Sequence, residues 1–216
     1  MYNKHGWYFP DYDTHFAEML DKNIAKGNQP VYQEPVRKKS FQYVKNNKFA
    51  IDCGANVGLW SRDLCEQFET VWAIEPVADF RECLQKNVPT ENLQIKPFAL
   101  GNDNTKISMI ITEENTGHSH VDIDSLGQGT IPMYKLDELK INQLDYIKID
   151  CEGYELNILK GAEQTIKKFK PVIVIEQKFH KDVGHADDGE AVRLLNSFGV
   201  QQLDKVRNDY IFGWPT

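Results

Sequence analysis

The stretch FAIDCGANVGLW, from Phe49 to Trp60, constrains this chain more than any other. Phe49, Ala50 and Ile51 form a short apolar run ending on an acid, Asp52. Gly54, Ala55, Asn56 and Gly58 follow, and then a segment with helical spacing. That is a strand, a tight turn and a helix start, the unit that opens a nucleotide-binding α/β sheet. Glycine suits the turn because a residue without Cβ lets the backbone bend sharply and lets a ligand come close. The N–H groups of the helix behind it offer a positive end to a polar or anionic ligand. The spacing is G-x-N-x-G, not the G-x-G-x-x-G of dinucleotide binders.

The rest of the chain repeats the pattern. Apolar runs at 49–53, 70–75, 93–98, 145–150 and 172–176 alternate with segments of helical period at 57–67, 77–87, 154–168 and 187–198. Alternation of this kind predicts a parallel sheet with helices on both faces. VQQLDKV and DYIFGW flank Arg207-Asn208 and predict a closing antiparallel hairpin at the sheet edge. Two strand-like segments, 106–111 and 130–135, flank ENTGHSHVDIDSLGQG, which has neither period and is long enough to suggest a functional loop. Ahead of the first strand lie an aromatic stretch, 1–13, and helices over 14–25 and 33–46. We therefore divide the chain into an N-terminal extension, 1–46, as a lid or substrate cap, and a binding domain, 47–216.

Composition narrows the function. The 25 Lys and Arg residues against 32 Asp and Glu leave a net charge of −7, which argues against nucleic acid as the partner. No apolar run reaches the roughly 20 residues a membrane span needs, and MYNKHGWYFPDYD has no apolar core of a signal peptide. Cys53, Cys65, Cys83 and Cys151 form no C-x-x-C pair and are expected as reduced thiols of a cytoplasmic protein.

Four acids, Asp52, Glu75, Asp150 and Glu176, fall at or just beyond the C-terminal ends of successive predicted strands, where open α/β sheets bind ligands. Glu75 follows Gly54 by about 20 residues, where a carboxylate receives the ribose hydroxyls of an adenosine.

IDCGANVG, AIEPVADF, FALGN, YKLDEL, YIKIDCEGYELNILKGA and KPVIVIE, in that order, resemble the FkbM-type S-adenosylmethionine-dependent O-methyltransferases. The most specific part is I-K-I-D-x-E-G-x-E-x-x-x-L-x-G, Ile147 to Gly161. The resemblance implies a Rossmann-like class I methyltransferase fold, a seven-stranded, mostly parallel sheet whose last strand is antiparallel. It also implies S-adenosylmethionine as cofactor, and methyl transfer to a hydroxyl of a small molecule or glycan. Asp52, Gly54, Asn56 and Gly58 would then cradle the methionine part and ribose, Glu75 would take the ribose hydroxyls, and Ala99 or Leu100 would lie beside adenine. Asp150, with Glu152 and Gly153, would sit at the methionine end and the transferred methyl.

A hydroxyl loses its proton as it attacks, so a base is expected within hydrogen-bond reach. The candidates are Asp150, His118 and His120. The run His118, His120, Asp122, Asp124 would share one face if extended and could also suggest a metal site; no metal is assigned. Two other readings stay open, a cofactor-binding scaffold that has lost the reaction and a nicotinamide-dependent oxidoreductase, the latter opposed by the missing third glycine.

Overall fold

The computed structural model describes residues 1–177 and 189–215. The chain opens with a hairpin, β1 (Tyr2–Lys4) and β2 (Trp7–Phe9), where the sequence suggests only an aromatic loop. His5 and Gly6, at φ 54 and 80, supply the two left-handed residues such a tight turn needs. Then come α1 (His15–Ala25), α2 (Glu34–Phe41), β3 (Phe49–Cys53), α3 (Ser61–Gln67), β4 (Thr70–Ile74), α4 (Ala78–Asn87) and β5 (Leu93–Lys96). The middle of the chain holds β6 (Ala99–Leu100), β7 (Thr105–Ile110), β8 (His120–Asp122), β9 (Ile131–Tyr134) and β10 (Tyr146–Ile149). It closes with α5 (Glu155–Lys160), α6 (Glu163–Phe169), β11 (Val172–Glu176), α7 (Glu190–Ser197), β12 (Gln201–Val206) and β13 (Asp209–Gly213).

The main sheet has seven strands in the order β12-β13-β11-β10-β3-β4-β5. β11, β10, β3, β4 and β5 are mutually parallel, and β13 runs antiparallel between β11 and β12. This is the expected fold, with the last strand one place in from the edge. Strand order reverses between β3 and β10, so the crevice that receives ligands opens at their C-terminal ends. Buried parallel strands carry apolar residues on both faces. Ile51, Ile147, Ile149, Ile173 and Ile175 pack one way against Ile158, Leu159, Ile166 and Leu195 of the C-terminal helices. Ala50, Tyr146, Val172 and Val174 pack the other way against Val36, Trp60, Leu64 and Phe68.

Departures from the expected boundaries have local causes. The helix expected from residue 57 begins at Ser61, because Asn56 and Gly58 sit at φ 48 and 92, outside the helical region. The helix expected to run to 46 ends at Phe41. The single helix over 154–168 is two, α5 and α6. A Cβ on Gly161 would stand 1.9 Å from the Gly101 carbonyl oxygen, and Asp137 caps α6 by accepting from the N–H groups of Gln164 and Thr165. α7 falls within the expected 187–198, of which 187 and 188 lie outside the described residues. The aperiodic loop contains β8, which joins β6, β7 and β9 in a second sheet ordered β6-β9-β7-β8.

The hairpin is anchored. Trp7, Phe9, Phe16 and Leu20 form a buried cluster with Val57, Leu59 and Cys83. Asn87 of α4 exchanges hydrogen bonds with the Tyr8 backbone, at 2.7 and 2.9 Å. The Arg62 guanidinium lies 3.6 Å over the Trp7 ring. Phe9 is wholly buried, so Phe9→Ala is expected to lower the unfolding free energy by about 3–5 kcal/mol in urea titration. A hairpin merely resting on the surface would give a change below about 0.5 kcal/mol.

Candidate active site

The crevice at the C-terminal ends of β3, β4 and β10 holds a cavity of about 90 Å³. At one end the β3–α3 turn forms its floor. The N–H groups of Gly54 and Ala55 donate to the Ile74 carbonyl at 3.1 and 3.2 Å, which bends the chain over β4. Gly54, at φ +79, has no room for a side chain, since a Cβ would lie 2.1 Å from the Asp150 carbonyl oxygen. Gly58 serves packing, for a Cβ there would meet Leu84 at 2.5 Å.

Glu75 follows the last residue of β4, with 4% exposure. Its two oxygens accept from the N–H groups of Asn56 and Val77, each at 2.8 Å. Burial disfavours the carboxylate more than those donors favour it, so the group is pushed up to about 7. Asn56, left-handed at φ 48, also donates from its side chain to the Thr116 carbonyl at 3.1 Å.

The other end is built on strand register. β10 pairs with β3 so that Lys148 lies directly opposite Asp52, both pointing to the face covered by Trp60. The Lys148 ammonium, 4% exposed, stands 3.2 Å from Asp150 and 3.8 Å from Asp52. Burial pulls its pKa down, but the two carboxylates outweigh this and hold it above the ordinary lysine value. Asp52, wholly buried, is pushed up by burial against the opposing pull of Lys148 and of Ser61, whose hydroxyl donates to it at 2.6 Å.

Beyond β10 the chain turns through Glu152 and Gly153, at φ 48 and 96. The buried Glu155 carboxylate holds that turn, accepting from the N–H groups of Cys151 at 2.8 Å and Gly153 at 3.2 Å, and burial pushes it up to about 7. Carboxylate oxygens of Asp150, Glu152 and Glu176 lie within 4.8 Å of one another, a spacing that could hold a cation. The run from His118 to Asp124 is a strand only at His120–Asp122 and is flanked by 3-10 turns at Thr116–His118 and Ile123–Ser125, so it is not extended throughout.

Of the residues singled out in the sequence, Gly54, Asn56, Glu75, Ala99, Leu100, Asp150 and Glu152 line the one cavity. Asp52, Gly58 and Gly153 stand behind its wall, and His118 and His120 are outside it, although Gly117 and Ser119 beside them line it. Lys148, Trp60, Tyr32 and Phe16 also line it and were not singled out as site residues. For Lys148 the signal was present: it lies two residues before Asp150 on one strand, hence on the same face. The four thiols are free, and those of Cys53 and Cys151 lie 3.6 Å apart at the cavity wall.

The arrangement has relatives. Residues 52–201 match the Methyltransferase FkbM domain. The hexuronic acid methyltransferase AglP of Haloferax volcanii is 26% identical over 168 residues, covering 74% of this chain and 67% of that protein. The methyltransferase FkbM structure from Methylobacillus flagellatus superposes with a TM-score of 0.50 at 21% identity over 78% of this chain. The chain spans 44% of that protein's length. SMU.1697c of Streptococcus mutans, solved in complex with SAH, superposes with a TM-score of 0.50 at 9% identity, covering 85% of this chain and 98% of the other. The two structures share the fold, and the family match, which spans the Gly54 turn, Glu75 and the Lys148–Asp150 segment, carries further: the chain belongs to the FkbM methyltransferase family.

Proposed function

We propose that this chain transfers a methyl group from S-adenosylmethionine to a hydroxyl oxygen of a small molecule or glycan. What supports this above all is that a single cavity runs from Glu75, past the Gly54 turn, to Asp150 and Lys148. Its residues fit such a cofactor. With no Cβ at Gly54, where one would meet the Asp150 carbonyl oxygen at 2.1 Å, the turn's bare backbone forms the wall, and Asn56, Glu75 and Asp150 bring polar side chains to it. SAH in a protein of the same fold supports the cofactor class, and a relative that acts on hexuronic acid supports a carbohydrate acceptor.

When bound, the cofactor supplies a methyl group on a positively charged sulfur. Glu75 accepts the ribose hydroxyls, and Ala99 and Leu100 flank the adenine. Gly54 and Asn56 hold the methionine part, with Asp52 fixing their strand from behind through Lys148 and Ser61. Gly58 and Gly153 act through backbone conformation. Asp150 and Glu152 face the reacting end, where Asp150 takes the proton of the acceptor hydroxyl. We assign the proton to Asp150 rather than to His118 or His120 because neither ring lines the cavity. The N-terminal segment, 1–46, contributes Phe16 and Tyr32 to the wall, and we assign it the role of a cap over the bound acceptor. Holding the two reactants aligned and dry supplies most of the rate, on the order of 7–11 kcal/mol. Free thiols at the cavity suit a reducing compartment, and we place the protein in the cytoplasm.

Calorimetric titration tests the cofactor. SAM and SAH are expected to bind at micromolar concentration, NAD is not, and Glu75→Ala is expected to abolish binding. A folded chain that binds neither sulfur compound overturns the proposal. Ribose hydroxyls donate to the ionised Glu75, so binding releases its proton and affinity rises with pH. With the carboxyl at about 7, SAH affinity should rise about tenfold from pH 6 to pH 8 and then level off, and Glu75→Gln should flatten the profile. On an acceptor panel that includes hexuronates, Asp150→Asn is expected to lower kcat by about 10²–10⁴-fold. An unchanged kcat would remove Asp150 from the proton transfer.

A further inference from the structure

Asp13 lies between the N-terminal hairpin and α1, has no part in the chemistry above, and yet is wholly buried. A buried carboxylate is tolerated only where donors surround it. Three do. Its Oδ2 accepts from the Thr116 N–H at 2.9 Å and from the Thr116 hydroxyl, and its Oδ1 accepts from the Phe16 N–H at 3.2 Å. The backbone joins at the same place. Asp13 bridges Glu114, whose carbonyl accepts from the N–H groups of Thr14 and His15 at 3.1 and 2.9 Å, and the Tyr2 hydroxyl donates to the Asp13 carbonyl at 2.6 Å.

Thr116, 1% exposed, passes the constraint on. Its carbonyl accepts from the Asn56 side chain at 3.1 Å, and the Asn56 N–H donates to Glu75 at 2.8 Å. The turn has little freedom to drift, since a Cβ on Gly117 would stand 3.0 Å from the Phe16 ring. A continuous line of hydrogen bonds therefore runs Asp13–Thr116–Asn56–Glu75, from the N-terminal segment to the cofactor end of the cavity.

We propose that Asp13 is a positioning residue for the cofactor turn: its carboxylate fixes the Thr116–His118 turn, which holds Asn56 in the left-handed conformation that aims its N–H at Glu75. The proposal rests on the cofactor reading above. It explains why an N-terminal segment and a mid-chain loop are tied by a buried charge where an apolar contact would hold them together. Its chemical consequence is specific. Without the Thr116 anchor Asn56 relaxes, Glu75 loses a donor to its ionised form, and the carboxyl titrates at higher pH. The other charged groups facing Glu75 are Arg81 on α4 and Asp52 on β3, and neither touches Asp13.

The test is SAH titration from pH 6 to pH 9 on the full chain, with urea unfolding run beside it. Asp13→Ala is expected to weaken SAH binding about tenfold at pH 7, the worth of one charge-assisted hydrogen bond, and to move the midpoint of the pH profile upward. Asn56→Ala, which removes the side chain that Thr116 holds and strains the left-handed backbone, is expected to do the same, and the double variant to lose no more than either single one. Wild-type affinity and midpoint in Asp13→Ala, or losses that multiply in the double variant, overturn the proposal. Should Asp13→Ala not fold, Asp13→Leu decides, because it keeps a branched side chain of similar shape and removes both acceptor oxygens that hold Thr116 and Phe16; an unmoved midpoint there is equally fatal. A wild-type chain that binds no SAH at any pH overturns the cofactor reading itself, an outcome distinct from wild-type binding that Asp13→Ala leaves untouched.

Discussion

A lysine in the middle of the sheet sets the terms for everything around it. Lys148 sits on β10, a strand buried along its whole length, and its ammonium group is 4% exposed. An ion in that position is tolerated only if opposite charge and hydrogen bonds replace water. The parallel register between β10 and β3 supplies Asp52 directly across, and the strand's own end supplies Asp150. Removing either partner of such a pair typically costs about 3–5 kcal/mol, because the remaining charge is stranded. Two adjacent strands are thus locked in register at the point where strand order reverses and the ligand crevice opens.

The two ends of the cavity manage buried carboxylates differently. Asp52 and Asp150 share a lysine. Glu75 and Glu155 have backbone N–H groups instead, drawn from turns that curl around each carboxylate, and burial still pushes both up to about 7. Those turns use left-handed residues, Asn56 in one and Glu152 with Gly153 in the other, that a helix or strand would reject. The carboxylates therefore hold strained backbone in place, and the strained backbone presents side chains to the cavity. The pattern agrees with what functional sites do elsewhere, where local strain is held by surrounding structure.

Buried parallel strands were the most legible part of the sequence. β3, β4, β10 and β11 appear as continuous apolar runs closed by acids, and the structure places them within a residue or two of where they were read. β8 was not legible, because a three-residue strand with only Val121 buried has no period to detect. Nor was the first hairpin, since His-Gly is a weaker turn signal than Asn-Gly. Lys148 was passed over because a lysine in an apolar run reads as a surface charge; its spacing to Asp150 was readable, whereas Asp52 becomes its partner only through the cross-strand register. Glu75 and Asp150 were legible because strand-end acids mark the binding edge of this class of sheet.

The family match runs from 52 to 201, and it contains Glu75, Lys148, Asp150 and the turns that shape them. Phe16 and Tyr32 line the same cavity from a segment that precedes it. Their rings meet edge-on at 5.5 Å, and Arg37 donates to the Tyr32 carbonyl, so this wall is packed in place. On the proposed chemistry the shared region determines where a methyl group is presented, and the residues before it shape the space in which an acceptor meets it. Variation at Phe16 and Tyr32 would then change the acceptor, while Asp13 in the same segment keeps its tie to the cofactor end, which is how one sheet can serve many acceptors.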